Sequence, residues 1–547
     1  MLEDLDLSAI QDENARELIV RLLNLIEQVS ADLREAQADN QRLRDEINRL
    51  KGEQGKPAIK AKTPPPSDHS SEKERRKARQ RHKRNQKAAI TIDREQVLEV
   101  DPATLPADAE FKGYEEVVVQ DLLVKTDNVR FHKQKYYAPS TGQTYLAPLP
   151  QGYAGQFGPG VKALTLTLYF GMGASEPKVV EFLTNANIQI SDGEVSNLLI
   201  KNQDDFHAEK EAVFEAGLRS SPWQHTDDTQ TRVNGQNQHC HVVCNPVYSA
   251  YETKPTKERL AVLDVLRNGR ARRFRLNEEA LTYLEGVALS QAARQTLQSE
   301  CSETEMDQAT FQQRLNTWLP TVGTQARKAS GDAAAVAAYH ADTDGPIVQA
   351  LVCDDAPQFN WLTHDRMLCW VHEGRTYKKL NPVVPLHGQQ LDDFLKRFWV
   401  YYDQLLAFRQ HPSPQESARL AVDFDTLFAT RTDYAALDQR VAKTQAKKGS
   451  LLLVLKYPEL PLHNNPAELA VRQRVRKRDV SFGPRTQDGR RAWDTFATLA
   501  ATAKKLGVSF YAYVQDRIAG SHLIPPLADL VELAAKELNL GWSWFVA

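Results

Sequence analysis

Cysteine is scarce in this chain, and long apolar runs are missing from it. Five of its 547 residues are Cys, and none precedes Cys240. An odd number at irregular spacing builds no disulfide framework and suits a reducing cytosol. No apolar run approaches 18 residues and the amino end is acidic, so the reading expects neither a membrane span nor a secretory leader, and a cytoplasmic location. An excess of one charge is also lacking. Lys and Arg number 69 against 71 Asp and Glu, a net −2, which is mild for a partner of nucleic acid. The charge is segregated, however, with an acidic amino end set against basic stretches at 73–87 and 472–478, and local field outweighs the sum. Hydrophobic residues make up 41% of the chain, enough for a large core, and the length suits two or three domains.

At the amino end, Ile19, Ile26, Leu33, Asn40 and Ile47 alternate with Leu22, Val29, Ala36, Leu43 and Leu50. Steps of three and four make a coiled-coil seam, with Asn40 at an a position that fixes a parallel two-stranded pairing. The rival reading is a long amphipathic helix packed on the body of the protein; the narrow stripe favours self-association. Residues 1–51 are thus expected to be a dimerisation helix. Gly52 ends it. Residues 51–90 hold 13 Lys or Arg against 4 Asp or Glu, with Pro64-Pro65-Pro66 inside. The segment 52–90 reads as a disordered basic linker whose Arg75, Arg76, Lys77, Arg79, Arg81, Lys83 and Arg84 bind phosphate backbones without reading sequence. In a leucine-zipper factor the basic helix precedes the zipper, whereas here it follows.

Residues 91–205 read as a small α+β module. Val117 to Val124 and His132 to Tyr145 are expected strands, with Pro139-Ser140-Thr141-Gly142 as a turn. Ser175-Glu176-Pro177 opens one helix, and the capping box Ser191-Asp192-Gly193-Glu194 opens another. The pair resembles a helix-turn-helix, though Lys178 and Lys201 are its few exposed cations.

Three acidic sites carry the chemistry. Asn464 or Asn465 can cap a helix that Pro466-Ala467-Glu468 opens, with Arg472 one turn on and Arg474, Arg476, Lys477 and Arg478 behind it, all five read as DNA contacts. Asp227-Asp228 follow Trp223-Gln224-His225-Thr226, and Asp354-Asp355 follow Leu351-Val352-Cys353, so both pairs read as acids at strand ends. Asp, Asp and Glu from two strands and a helix can hold two Mg²⁺ ions beside a phosphodiester. Neighbours on a strand point to opposite faces, so one acid of each pair reaches the metals.

The segment from Leu462 to about Arg517, with Leu462-His463-Asn464-Asn465-Pro466-Ala467-Glu468, Arg472, Gly483, Arg490 and Lys505-Leu506-Gly507-Val508-Ser509-Phe510-Tyr511-Ala512-Tyr513, resembles the carboxyl end of transposases of the insertion sequence 66 family. His225-Thr226-Asp227-Asp228-Thr229 resembles the first acid motif of that family. Cys353-Asp354-Asp355-Ala356 with Cys369-Trp370-Val371-His372 resembles the second. The resemblance implies a ribonuclease-H-like α/β core and DDE-type transposition by Asp227, Asp354 and Glu468 (Asp228 and Asp355 as alternatives), with two Mg²⁺ ions or Mn²⁺ in their place. Family members often carry a four-cysteine zinc module near residues 91–205. This chain lacks those cysteines, and no zinc is expected. Cys369-x-x-His372 is too sparse for zinc and is read as a brace behind the second acid. In His239-Cys240-His241-Val242-Val243-Cys244 the His and Cys side chains fall on opposite faces, which argues against a shared site.

The catalytic domain is expected over 206–520, with helical insertions near 277–341 and 388–450 and a helical tail at 521–547. Trp223, Trp361, Trp370, Phe398 and Trp399 are read mainly as core, with stacking on a base as the rival role. The expected function is transposition. Transposon-end and target DNA, a second copy through the coil, and accessory proteins of the same element are the expected partners, at the bacterial nucleoid. A decayed DNA-binding protein and a nuclease without strand transfer are the alternatives.

Overall fold

The computed structural model describes residue 7 and residues 10–51, 91–106, 109–122, 124–153 and 155–542. The linker cations Arg75, Arg76, Lys77, Arg79, Arg81, Lys83 and Arg84 lie outside the described residues. The strands are β1 (Lys135–Ala138), β2 (Gln143–Leu146), β3 (Trp223–Val233), β4 (Gln236–Cys244), β5 (Ser249–Lys254), β6 (Phe274–Arg275), β7 (Glu305–Met306), β8 (Ala350–Cys353) and β9 (Asp365–Leu368). Five of them form one mixed sheet in the order β5-β4-β3-β8-β9. β3, β4 and β5 are antiparallel, while β8 runs parallel to both β3 and β9.

The β3–β4 turn follows from Asn234-Gly235. Both residues take positive φ, 50° and 76°, as a two-residue hairpin turn with the native strand twist requires. Beyond that turn the chain is anchored by Gly483. A Cβ there would lie 2.4 Å from the Arg232 carbonyl oxygen, so only glycine lets the loop pass. β8 is buried at all four positions, as expected of a central parallel strand covered on both faces.

The faces of β8 feed two separate cores. Leu351 and Cys353 pack with helices Arg259–Leu266 and Thr324–His340. Ala350 and Val352 pack with Trp370, Phe394, Phe398 and Phe424 from helices Trp370–Lys378, Pro385–Gln410 and Pro414–Phe428. Helices from 277–341 thus lie on one face of the sheet and helices from 388–450 on the other. On β4, Cys240, Val242 and Cys244 pack beneath helix Asn465–Ser481. His239 and His241 alternate to the other face, where His239 lies 3.9 Å from Asp228.

The amino-terminal helix runs unbroken from Glu13 to Leu50. Ile19, Val20 and Leu23 dock it on Val384 and Leu386. The Glu27 carboxylate accepts from the Val383 and Val384 N–H groups at 3.0 and 2.8 Å, where helix Pro385–Gln410 begins and the orphan donors and positive dipole end lie. Asn24 bridges the same region, donating to the Asp433 carbonyl and accepting from the Ala435 N–H, both at 2.8 Å. The seam expectation needs one correction. Ile19 is covered by its own chain, because the helix docks through an adjacent face. Leu22, Ile26, Val29, Leu33, Leu43, Ile47 and Leu50 remain exposed, and so does Asn40.

Some of the elements read between 91 and 205 form and others do not. β1 and β2 form the hairpin around Pro139–Gly142, with Gly142 at φ 63° in the turn. Residues 117–122 and 124 are not a strand; their apolar side chains lie exposed with no pairing partner. Helices Glu176–Asn185 and Asp192–Ile200 form as read, and the Ser191 hydroxyl accepts from Glu194 N–H at 3.2 Å. Their core is shared with Trp493, Phe496, Tyr513 and Leu527 of the carboxyl-terminal helices. The core therefore crosses the boundary placed at 205, and helix Leu527–Leu538 is part of the body rather than a tail.

Candidate active site

Asp227 sits at mid-length on β3, opposite Val242 of β4. Paired residues share a face, so Asp227 points toward the side covered by helix Asn465–Ser481. Glu468 lies in the first turn of that helix. Asp354 follows the last residue of β8, the strand beside β3. The parallel register pairs His225 with Val352, which brings Asp227 beside Asp354. Asp354 follows its strand as expected, whereas Asp227 lies within β3, because that strand runs on to Val233 in its pairing with β4. Burial pushes the Asp227 carboxyl up to about 7, and the charges of Asp354, Asp228 and Glu468 push the same way against a hydrogen bond from Asp228 N–H. The three acids named from sequence thus share one field.

The adjacent acids have other work. Asp228 is on the opposite face, where Gln358 donates to its Oδ2 at 2.9 Å. Asp355 is taken by Lys447 at 2.6 Å and Arg366 at 3.6 Å. Asp354 instead closes a local turn, accepting from Ala356 N–H at 3.1 Å.

Asn464 joins strand to helix. Its side chain does not cap the helix, contrary to the sequence reading. It reaches across to β3, donating to the Thr226 carbonyl at 2.8 Å and meeting His225 Nδ1 at 2.9 Å. Because the Asn464 amide nitrogen faces a carbonyl, its oxygen is the acceptor and His225 Nδ1 carries the hydrogen. His225 is buried, and burial lowers its pKa to about 3, so the ring is a neutral strut. Asn464 N–H in turn donates to Cys369 Sγ at 3.3 Å, and Trp370 N–H to the Leu462 carbonyl at 2.9 Å. Cys369 N–H also donates to the Cys353 carbonyl at 3.0 Å, and Trp370 packs on Val352, so the Cys-Trp-x-His element braces the strand of the second acid as read, and the third acid as well.

Around Glu468, Arg375 reaches Oε2 at 3.4 Å and His372 Nδ1 faces Oε1 at 3.5 Å. Cys369, His372 and Glu468 bring potential ligand atoms within 4.8 Å of one another. Glu468 Oε1 and His372 Nδ1 are both buried without a hydrogen bond. An orphaned carboxylate oxygen beside a clustered pair of aspartates is an environment that a cation relieves. The donor set of oxygens fits Mg²⁺ or Mn²⁺.

The basic stretch divides. Arg472 and Arg476 are exposed and continue the stripe of Glu468 at successive fourth positions. Arg478 is half-buried and donates to the Gln230 carbonyl. Arg474 and Lys477, expected to contact DNA, are instead structural. Arg474 is 3% exposed, pairs with Asp494 at 3.1 Å and donates to Thr253. Lys477 lies 3.2 Å from the centre of the Tyr169 ring and donates to the Ala174 carbonyl at 2.7 Å; burial lowers its pKa to about 7. The helix turns these two positions toward the core, whatever their charge. Trp223, Trp370, Phe398 and Trp399 are buried in one core, and Trp361 lies under Arg259. His463 lines a cleft of about 360 Å³ with Trp223, His225 and Pro466.

The family described as Transposase IS66 family matches residues 326–492, a span that holds Asp354, Cys369, His372 and Glu468. The chain is also 34% identical over 327 residues to the uncharacterized protein y4jO of Sinorhizobium fredii, a match that takes in 59% of this chain and 100% of that protein. With a relative matched along its whole length and the family matching residues 326–492, the chain belongs to the IS66 transposase family.

Proposed function

We propose that the protein is a DDE-type DNA transposase with a ribonuclease-H-like core, in which Asp227, Asp354 and Glu468 hold two Mg²⁺ ions against DNA. The observation that carries this is the placement of the three acids: Asp227 on β3, Asp354 at the end of the neighbouring β8 and Glu468 in the first turn of the helix over Asp227, with burial first and then Asp354 and Glu468 raising the Asp227 carboxyl. The sheet, three antiparallel strands followed by two parallel ones, supports the core assignment. When bound, the metals supply a stabilised attacking oxygen and a stabilised leaving oxygen for in-line displacement at phosphorus. The residues of the chain do the positioning. His225 and Asn464 fix the distance from β3 to the helix of Glu468. Gln358 holds Asp228 turned away. Arg472 and Arg476 extend a cationic track from Glu468 along which a phosphate backbone lies, while the linker cations add salt-dependent grip.

The exposed seam from Leu22 to Leu50 pairs two copies in parallel, so that two transposon ends meet in one complex. Docking uses a separate face of the helix, so pairing leaves the Glu27 anchor intact.

The test is a joining reaction. A transposon-end duplex with a free 3′ hydroxyl is incubated with supercoiled plasmid and Mg²⁺. Joined products are the expected result. Nicking without joining would make the protein a nuclease, and DNA binding with neither would make it a binding protein.

A further inference from the structure

We propose that Glu279, His340 and His364 form a second metal site, separate from the catalytic acids and built for a nitrogen-preferring divalent ion such as Zn²⁺. Glu279 is in the first turn of helix Glu278–Leu284, His340 ends helix Thr324–His340, and His364 immediately precedes β9. Their ligand atoms all lie within 4.8 Å of one another.

The positions of the hydrogens decide which ring nitrogen can bind a cation. His340 Nε2 lies 3.1 Å from the Leu362 carbonyl oxygen. A carbonyl only accepts, so Nε2 carries the hydrogen, and in the neutral ring Nδ1 presents a lone pair. That Nδ1 lies 2.6 Å from Glu279 Oε1, which already accepts from the Tyr283 hydroxyl at 2.7 Å. Two lone pairs at this distance need a positive charge between them. A proton would serve, but a second imidazole adjoins the same oxygen. His364 Nδ1 is 3.9 Å from Glu279 Oε1, and its ring centre is 4.2 Å from that of His340. A protonated His340 would gain nothing from that neighbour. A metal gains a third ligand. Two imidazoles and a carboxylate, with one imidazole oriented by a backbone carbonyl, are the donors of a three-ligand zinc site open at its fourth position. Mg²⁺ is a poor match for nitrogen donors. Binding opens the His340–Glu279 spacing to about 3.3 Å, the separation of tetrahedral ligands at zinc bond lengths, through rotation of the carboxylate.

The site ties the first helical insertion to the loop that leaves Asp354. That loop carries Gln358, which holds Asp228, and Trp361, at φ 71°. A bulky residue seldom takes that conformation. Tyr283 stacks on Trp361 at 5.5 Å and the Arg259 guanidinium covers it at 4.2 Å. A metal at Glu279 and His364 locks the loop in this form.

The experiment titrates chelator-treated full-length protein with Co²⁺ and follows visible ligand-field absorption, with Zn²⁺ as competitor. One equivalent of tightly bound Co²⁺, displaced by Zn²⁺, is expected. His364→Ala, at a side chain 55% exposed and so harmless to folding, and Glu279→Gln should each weaken binding at least 10-fold, while His372→Ala leaves it unchanged. Absence of the absorption in the wild type would reduce the cluster to an ion pair and overturn the proposal. Absorption that survives His364→Ala and is lost in His372→Ala would overturn it too, by moving the metal to Cys369, His372 and Glu468.

Discussion

Asp227→Asn should make the metal-free protein more stable, not less. Burial and the neighbouring acids raise the Asp227 carboxyl from 3.8 to about 7. The folded protein therefore binds this proton more tightly than the unfolded chain between those values. Stability falls as pH rises through that window and is level above about 7. Roughly three pKa units at about 1.36 kcal/mol each give a ceiling of about 4 kcal/mol. Allowing half for water entry and relaxation leaves about 2 kcal/mol. Asparagine keeps the shape and removes the charge, so Tm in EDTA at pH 7.5 should rise by about 4–8 °C if a unit of 150–250 residues melts together. At pH 4.5 the gain should shrink, because the wild-type carboxyl is then protonated as well. Mg²⁺ should raise the Tm of the wild type and leave the variant almost unmoved, since a ligand stabilises only the state that binds it. Differential scanning calorimetry with and without Mg²⁺ at both pH values reads all of this. A variant less stable than wild type in EDTA at pH 7.5, or one with an undiminished Mg²⁺ shift, would refute the reasoning.

Three other expectations follow from the same geometry. Asp354→Asn should lower strand cleavage at least 100-fold, with plasmid retention in a gel shift unchanged; retained cleavage removes Asp354 from the site. Leu33→Lys with Leu43→Lys should convert a dimer to a monomer by light scattering without lowering Tm of the body, because docking uses Leu23, Asn24 and Glu27; an unchanged dimer defeats the coiled-coil pairing. Arg472→Ala and Arg476→Ala should each weaken DNA binding and flatten its salt dependence by about one unit of slope, whereas Arg474→Ala should cost about 3 kcal/mol of stability by leaving the buried Asp494 with Thr253 and a distant Arg490, at 3.9 Å, as its remaining partners.

Much of the site was legible because its chemistry is local. A strand followed by an acid, or Asn-Pro before an acid and a helix, places a carboxylate without knowledge of the rest of the fold. Strand alternation showed that Asp227 and Asp228 face opposite ways, though not which of them meets the metals, and it split His239 from Cys240. What escaped was long-range. Asn464 read as a cap because capping is the commonest use of that residue before a helix, and nothing local reveals that His225 and Thr226 wait across the sheet. Arg474 and Lys477 read as surface because they are charged, yet the helix turns them onto Asp494 and Tyr169. Val117–Val124 read as a strand from its β-branched residues, but a strand needs a partner, and none adjoins it among the described residues. The Asn234-Gly235 turn, by contrast, is a local signal, an Asn-Gly pair between two β-rich runs. Glu27, a lone acid on an exposed-looking helix, gave no sign that it anchors the helix to Val383 and Val384.

The central claim is that Asp227, Asp354 and Glu468 together bind the metal that cuts DNA. Its most direct test is nicking of supercoiled plasmid with Mg²⁺ or Mn²⁺, wild type beside Glu468→Gln, which requires no knowledge of the transposon ends. The account predicts metal-dependent nicking that the variant loses, with its fold and DNA binding intact. Equal nicking by both proteins would contradict it.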